Sequence, residues 1–435
     1  MSAAAAMGRA RVVVVGAGFG GLAAVRALAR LPVDVALIDR HNYHTFTPLL
    51  YQVAAAELEP EEIAYPIRSI LRRKPSTQFF WGEISAIDFS RHVIKTGELE
   101  VSYDYLVLAV GSTTNFFGVP GAAEHALPLK TLEQAIALRN HLLACFERAD
   151  HEADPARRRP LLTFAIVGGG PTGVEFAGAL AELVAGPLRR DHRALDFREV
   201  RIVVLEAADT LLLGFPVRLR DYARARLARM GVDVRLQSSV TRVAAAALTF
   251  SDGSILPAAT AVWTAGVRAG LGSARWGLPA GAKGQVPVMP TLQVAAYPDV
   301  YVIGDLAQVE DLARPLPMLA PVAIQQGAAA ARNIGLRLAG KAPVPFRYKD
   351  AGTLATIGRN AAVAELGGRT FTGFPAWVLW LCVHLIQLIG YRNRLFVVIN
   401  WARDYFLSDR PVRLILPSAQ ARAAQASNQG ETRPA

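Results

Sequence analysis

Two glycine clusters with an acid downstream of each are the residues whose types and spacing speak most directly of chemistry. The first is Gly16-x-Gly18-x-x-Gly21, followed 23 positions after Gly16 by Asp39. The second is Gly168-x-Gly170-x-x-Gly173, followed 38 positions after Gly168 by Glu206. Such glycines permit a tight turn and let a backbone come close to a pyrophosphate, which then rests on the positive end of a helix. A carboxylate at the tip of the next strand can accept hydrogen bonds from ribose hydroxyls. Glu206 would also repel a 2′-phosphate, which favours NADH over NADPH. A third signal is Gly304-Asp305, where an apolar run ends in an acid suited to the ribityl or pyrophosphate part of a flavin dinucleotide; the plainer alternative is a helix cap.

These residues need particular elements to hold them. Val12–Val15 precedes the first cluster as a short β-branched strand, a helix follows over Leu22–Arg30, and Val33–Ile38 supplies the second strand. Phe164–Val167, a helix to Ala185 and Ile202–Leu205 repeat the pattern about 150 residues later. The chain therefore contains an internal repeat of two mononucleotide-binding βαβ units. Tyr105–Val110 before Gly111 and Ala261–Ala265 before Gly266 read as further buried strands. Pro155–Pro160 reads as an exposed link.

The 435 residues include 47 Lys and Arg against 36 Asp and Glu, a net charge of +11, with 52% hydrophobic residues. That is long enough for two or three domains and too apolar for disorder. Two cysteines, Cys145 and Cys382, exclude a disulfide scaffold, a cysteine-rich zinc module and a four-cysteine iron–sulfur site. No metal site is expected. Only six of the 47 basic residues are Lys, and with no RNA- or DNA-binding motif present, nucleic acid is not an expected partner. No signal peptide is expected at the N-terminus, where Met7 offers an alternative start. The apolar excess collects near the C-terminus, at Ala376–Leu388 and Leu395–Phe406. Each is about 12 residues, too short to span a bilayer of roughly 30 Å as a helix. Trp377, Trp380, Tyr391, Trp401 and Tyr405, with Arg392, Arg394, Arg403, Arg410 and Arg413 around them, suit an in-plane membrane anchor. A dimer interface or a buried core helix is the competing reading. From Ser418 the polar, Ala-rich tail reads as disordered.

In this order the motifs resemble the two-dinucleotide-binding flavoproteins of the disulfide reductase superfamily, and within it the type II NADH:quinone oxidoreductases. The stretches that carry the resemblance are Pro48–Ala54 (PLLYQVA), Gly168–Glu175 (GGGPTGVE), Trp263–Val267 (WTAGV), Val302–Leu306 (VIGDL), Ala320–Gly327 (APVAIQQG), Tyr348–Arg359 (YKDAGTLATIGR) and Trp377–Tyr405. It spans about residues 10–407.

The resemblance implies an α/β fold of two Rossmann-like dinucleotide-binding domains, the FAD domain split around the NADH domain, plus a C-terminal α/β membrane-anchoring region. The expected segments are 10–125 and 285–340 for FAD, 126–284 for NADH, 341–410 for anchoring or dimerisation, and 411–435 as tail. FAD would be held by Gly16, Gly18, Gly21, Asp39, Arg40, Gly111, Gly304 and Asp305. NADH, as co-substrate, would be held by Gly168, Gly170, Gly173, Glu206 and Gly266. Glu175 is expected near the nicotinamide–flavin stack, positioning one ring or tuning the other; its plain alternative is an acid complementing a helix dipole. Gln325 and Gln326 are expected to hydrogen-bond a quinone carbonyl, or else to be a glutamine pair on a helix surface. Where relatives often carry an earlier Gln this chain has Pro321, and Lys349 is expected near the quinone tunnel.

The dithiol that disulfide reductases place soon after the first acid is absent, since Pro48–Ala54 stands there. Sulfide:quinone reductases also need reactive cysteines at the flavin. The implied reaction is hydride transfer from NADH to FAD and two electrons onward to a membrane quinone, without proton pumping. The implied partners are a quinone, membrane lipids and a second copy of the chain. The implied place is the cytoplasmic face of a bacterial inner membrane, peripherally bound. Two alternatives stay open: a same-fold NAD(P)H-dependent FAD reductase with a soluble acceptor, and a flavin-containing redox-sensing module. FMN in place of FAD is disfavoured by the first βαβ unit.

Overall fold

The computed structural model describes residues 9–270, 276–310, 315–407, 410 and 412–415. The chain divides into two compact units, each assembled from separate stretches of sequence. One contains residues 1–45, 64–113 and 267–351; the other contains 46–63, 114–266 and 352–435. The motif Pro48–Ala54 and everything after Gly352 thus belong to the unit that carries the second glycine cluster. Most of the expected tail, residue 411 and residues 416–435, lies outside the described residues.

The first unit is built on a six-stranded sheet in the order Gln293–Val294, Tyr297–Val302, Tyr105–Leu108, Ala10–Val15, Val33–Asp39, Thr77–Trp81. Its strands run parallel apart from the first pair. Val12, Val13 and Val14 are wholly buried, as the near-continuous apolar strands of a two-faced parallel sheet must be. The Phe19–Leu28 helix packs against the Ala320–Leu338 helix with no room to spare, since a Cβ on Gly327 would lie 2.2 Å from the Gly20 carbonyl oxygen.

A five-stranded sheet organises the second unit, in the order Leu127–Pro128, Thr260–Trp263, Thr163–Val167, Arg201–Leu205, Val232–Arg235. Its registers repeat those of the first. Val15 pairs with Ile38 on one side and Leu108 on the other, and Val167 pairs with Leu205 and Trp263. In both sheets the chain leaves the central strand, crosses over on one side and returns later on the other. The glycine loops therefore fall at the switch points where α/β sheets bind ligands.

After Gly352 the second unit adds an antiparallel sheet of Thr353–Thr356, Ala362–Leu366 and Arg369–Gly373, then two helices, Phe374–Gln387 and Tyr391–Leu407. Along the last helix Asn393 and Val397 are buried and Asn400, Trp401 and Asp404 are half-buried, one stripe at helical spacing. Asn393 ties the stripe down, donating to the carbonyls of Glu61 (3.1 Å) and Glu62 (2.9 Å).

Pro155–Pro160 differs from expectation. Residues Pro155–Leu161 form a helix, with Asp154 accepting from the Ala156 N–H at 2.9 Å and Pro155 in the first turn. An N-cap acid followed by proline is a helix start, and Arg158 closes a two-pronged pair with Glu199 at 2.8 and 3.0 Å. Among the described residues no helix is long and apolar enough to cross a membrane.

Candidate functional site: two nucleotide loops and a buried carboxylate cavity

In the first unit Gly16 takes φ +100°, and a Cβ there would lie 2.4 Å from the Ala109 carbonyl oxygen, so no other residue fits. Gly21 meets Gly16 just as closely, whereas Gly18 and Gly111 face open space. Asp39 holds the loop: one carboxylate oxygen accepts from the Ala17 N–H at 2.6 Å, the other from the His41 N–H at 2.7 Å. A carboxylate has about four acceptor positions, which leaves Asp39 capacity for ribose hydroxyls. Arg40 is exposed, and its carbonyl accepts from the Trp81 indole at 2.7 Å. Asp305 accepts from the Ser112 hydroxyl, one residue past Gly111. Open space above the central glycine, a loop-bracing acid and a second acid across the sheet fit a flavin dinucleotide.

The second unit repeats the device. Gly168 takes φ +114°, a Cβ there would lie 2.6 Å from Ala265 Cα, and Gly170 is open. Gly173 would meet the Gly168 carbonyl oxygen at 2.0 Å. Glu206 accepts from the Gly169 N–H at 2.6 Å with one oxygen and from the Ala208 N–H at 2.9 Å with the other. Gly266, the residue corresponding to Gly111, is covered by the ring of Phe117.

The two glutamines of the Ala320–Leu338 helix are both engaged. Gln326, 1% exposed, accepts from the Gly304 N–H at 2.6 Å and so fixes the turn that presents Asp305. Gln325 forms a reciprocal pair with the Lys349 backbone, donating to its carbonyl at 2.8 Å and accepting from its N–H at 2.9 Å. Pro321 lies in the helix's first turn, where no N–H is needed.

Glu175 lies one turn into the Pro171–Leu183 helix and is 8% exposed. Its Oε1 accepts from the Trp380 indole at 3.2 Å and from the Thr356 N–H at 3.3 Å. Burial outweighs these bonds and pushes its pKa up to about 8, so the carboxyl holds a proton at neutral pH. Glu175 lines a cavity with Tyr51, Gln52, Glu57, Glu182, Arg359, Trp377, Trp380, Trp401, Asp404 and Tyr405, all in the second unit. Its space for water-sized molecules, about 50 Å³, holds roughly three or four waters. Burial also lifts Glu57 to about 8, against the pull of Arg410.

Arg410 is where expectation fails. It is 1% exposed and belongs to no surface anchor. It pairs with Glu57 at 2.8 Å, Glu182 at 3.2 Å and Asp404 at 3.4 Å, and donates to the carbonyls of Ala55 (3.1 Å) and Ala179 (2.9 Å). A guanidinium tolerates burial only when so fully paired. Sequence reasoning also passed over Gln52, Glu57, Glu182 and Thr356. Gln52, which accepts from the Trp401 indole at 3.0 Å and donates to Tyr51 at 3.1 Å, stood within the PLLYQVA stretch, and Thr356 within YKDAGTLATIGR.

Cys145 is buried beside His141 (3.4 Å) and Thr260 (3.7 Å), and Cys382 is exposed. Burial raises the Cys145 pKa, which keeps it a thiol.

Comparison with known proteins matches this geometry. Residues 10–327 fit the family model of the pyridine nucleotide-disulphide oxidoreductases, and residues 351–409 fit that of the NDH2 C-terminal domain. The chain is 39% identical over 428 residues to the type II NADH:quinone oxidoreductase Ndh of Mycobacterium tuberculosis, covering 95% of this chain and 91% of that one. It is 30% identical to the type II NADH:quinone oxidoreductase of Staphylococcus haemolyticus, with 85% and 93% covered. Among solved structures, NDH2 from Plasmodium falciparum in complex with NADH superposes with a TM-score of 0.86 at 19% identity, over 93% of this chain and 99% of that one. The sulfide:quinone oxidoreductase of Aquifex aeolicus shares the fold at a TM-score of 0.71 and 19% identity, over 96% and 95%. With both family models matched over most of its length and 39% identity to the Mycobacterium enzyme along nearly the whole chain, the chain belongs to the type II NADH:quinone oxidoreductase family.

Proposed function

We propose that this protein is a respiratory NADH:quinone reductase: it oxidises NADH with a bound FAD and reduces a membrane quinone to the quinol. The observation that carries this reading is the duplicated nucleotide loop on a chain alignable end to end with a type II NADH:quinone oxidoreductase. Bound FAD would supply the two-electron chemistry, taking up a hydride and releasing an electron pair.

The protein's residues do the rest. Asp39 and the Gly16–Gly21 loop bind FAD, with Gly304 and Asp305 at its ribityl or pyrophosphate side. Glu206 and the Gly168–Gly173 loop bind NADH, and the Glu206 carboxylate disfavours a 2′-phosphate. Gln326 positions the Gly304–Asp305 turn, while Gln325 positions Lys349. The net reaction, NADH + H⁺ + quinone → NAD⁺ + quinol, takes up one proton. Glu175 holds a proton at neutral pH beside a cavity sized for water and is the group we assign to it. With Oε1 accepting two N–H bonds, that proton resides on Oε2.

Attachment to the membrane is assigned to the outer faces of the last two helices. Ile386, Tyr391, Leu395, Ile399 and Phe406 are exposed there, with Arg392 and Arg403. Apolar and aromatic side chains with arginines suit the interface of an anionic membrane, on the cytoplasmic side of a bacterial inner membrane. Homodimerisation through the same region is part of the proposal. The test is a steady-state assay of the purified flavoprotein with NADH and a short-chain quinone. Flavin absorbance that NADH bleaches and quinone restores supports the reading; a flavin that NADH does not bleach overturns it.

A further inference from the structure

The two nucleotide loops differ at one matched position, and the difference is an aromatic ring. Gly111 and Gly266 each stand three residues after the end of the strand flanking the glycine loop, Tyr105–Leu108 and Thr260–Trp263. A Cβ on Gly111 would meet nothing within 4 Å, whereas a Cβ on Gly266 would lie 2.6 Å from Phe117 Cζ and 3.0 Å from Cε2. Phe117 is nevertheless 62% exposed. It also holds φ +52°, a conformation bulky residues avoid and that gathers at functional sites. The loop that carries it is anchored. The Asn115 N–H donates to the Gly266 carbonyl at 3.0 Å, the Trp263 indole donates to the Asn115 carbonyl at 2.9 Å, and the Phe117 N–H donates to Asn115 Oδ1 at 2.9 Å. A fixed stem thus places a loosely packed ring on one spot.

The order of strands says what the spot is for. In the second sheet Thr163–Val167, which feeds the glycine loop, stands between Arg201–Leu205, which ends at Glu206, and Thr260–Trp263, which leads to Gly266. A dinucleotide with its adenosine ribose at Glu206 and its pyrophosphate on the loop runs its other half toward Gly266. We infer that Phe117 is a movable cover over the nicotinamide half of the second crevice, resting on Gly266 in the free protein and displaced when the pyridine nucleotide enters. This rests on the assignment of NADH to the second loop. The open Gly111 suits a cofactor that stays; the covered Gly266 suits a co-substrate that must leave every turnover, with the ring folding back behind the departing NAD⁺.

The test is calorimetric titration of the FAD-loaded protein with NAD⁺ and, separately, with ADP, whose adenosine half stops short of Gly266. Phe117→Ala removes the ring, and Phe117→Gly removes it while suiting the positive φ, so a folding defect in one variant is checked by the other. In both variants affinity for NAD⁺ is expected to rise roughly three- to tenfold, the span that partial burial of one aromatic ring supports, with affinity for ADP unchanged. NAD⁺ affinity that is unchanged or weakened, or ADP affinity that moves in step with it, overturns the cover. Glu206→Ala serves as the control. If it leaves NAD⁺ affinity intact, the second loop is not the NADH site and the underlying assignment fails; if it weakens NAD⁺, the Phe117 result stands on its own.

Discussion

Glu175 pays for its place with a proton. Its pKa is about 8 when folded against an ordinary value of 4.5, and burial is the main cause. A folded state that binds the proton more tightly than the unfolded chain loses stability as pH rises between those two values. Glu175→Gln keeps the shape and removes the titration. Its melting temperature should fall less than the wild type's between pH 5 and pH 8 (roughly the titration range of such an acid), and it should be the more stable protein at the alkaline end. Equal slopes in thermal melts across that range would mean that Glu175 is ionised in the fold. If Glu175 also supplies the proton for quinone reduction, the variant should lose quinone turnover by about a hundredfold while NADH still bleaches the flavin. Glu206 braces Gly169 and Ala208, and the proposed function gives it a second duty at the ribose. Glu206→Gln should therefore lower kcat/KM for NADH by about tenfold with that for NADPH rising or holding. A constant NADH/NADPH ratio in paired assays would remove Glu206 from the ribose. Both acids were legible in the sequence, because a helix N-terminus and a strand tip constrain spacing. Glu57, Glu182 and Arg410 were not, since they converge from distant segments with no local pattern.

The Tyr391–Leu407 helix mixes apolar and aromatic side chains with arginines, and that was its signal as an anchor. The structure divides the two sides: Asn393, Val397, Asn400, Trp401 and Asp404 face inward, while Leu395, Ile399 and Phe406 stay exposed. Scattered exposed apolar side chains are ordinary, but this row on one helix is the face to which the proposed function assigns membrane docking. Leu395→Glu with Ile399→Glu should abolish co-flotation with vesicles rich in anionic lipid, leaving thermal stability and flavin bleaching by NADH intact. Undiminished flotation would put the anchor elsewhere. Arg410 was grouped with this face because sequence shows charge and not direction. Three acidic side chains and two carbonyls draw it inward, so it fastens the segment after the Tyr391–Leu407 helix to the core. Arg410→Ala strands those acids without a counter-charge and should cost about 3–5 kcal/mol in denaturant unfolding. A loss typical of a surface arginine would contradict the burial. The Pro155–Leu161 helix was missed for a comparable reason, its proline and arginine content masking an N-capped start.

At the scale of the whole chain, the internal repeat was plain because β-branched strands, glycines and acids recur in fixed order. The division into units was less so. Residues 46–63 join the second unit although the sequence around them belongs to the first, and nothing local announces such a crossing. The repeat bears on how electrons leave. The fold alone does not separate this chain from enzymes with other chemistry, given the likeness to the sulfide:quinone oxidoreductase of Aquifex aeolicus. The thiols do. Cys145 is buried against His141 and Thr260 with its pKa raised, and Cys382 is exposed on the Phe374–Gln387 helix. A thiol relay needs a thiolate within reach of a second sulfur, and the chain's two cysteines both lie outside the PLLYQVA stretch that follows Asp39. The double variant Cys145→Ala, Cys382→Ser should therefore keep quinone turnover at the wild-type level, and iodoacetamide should label Cys382 without inhibiting the wild type. Loss of turnover in the double variant with the flavin still bound and still bleached by NADH would place a sulfur between flavin and quinone. Loss of bound flavin instead would trace the defect to packing around Cys145, which Cys145→Val, of similar apolar character, should then repair.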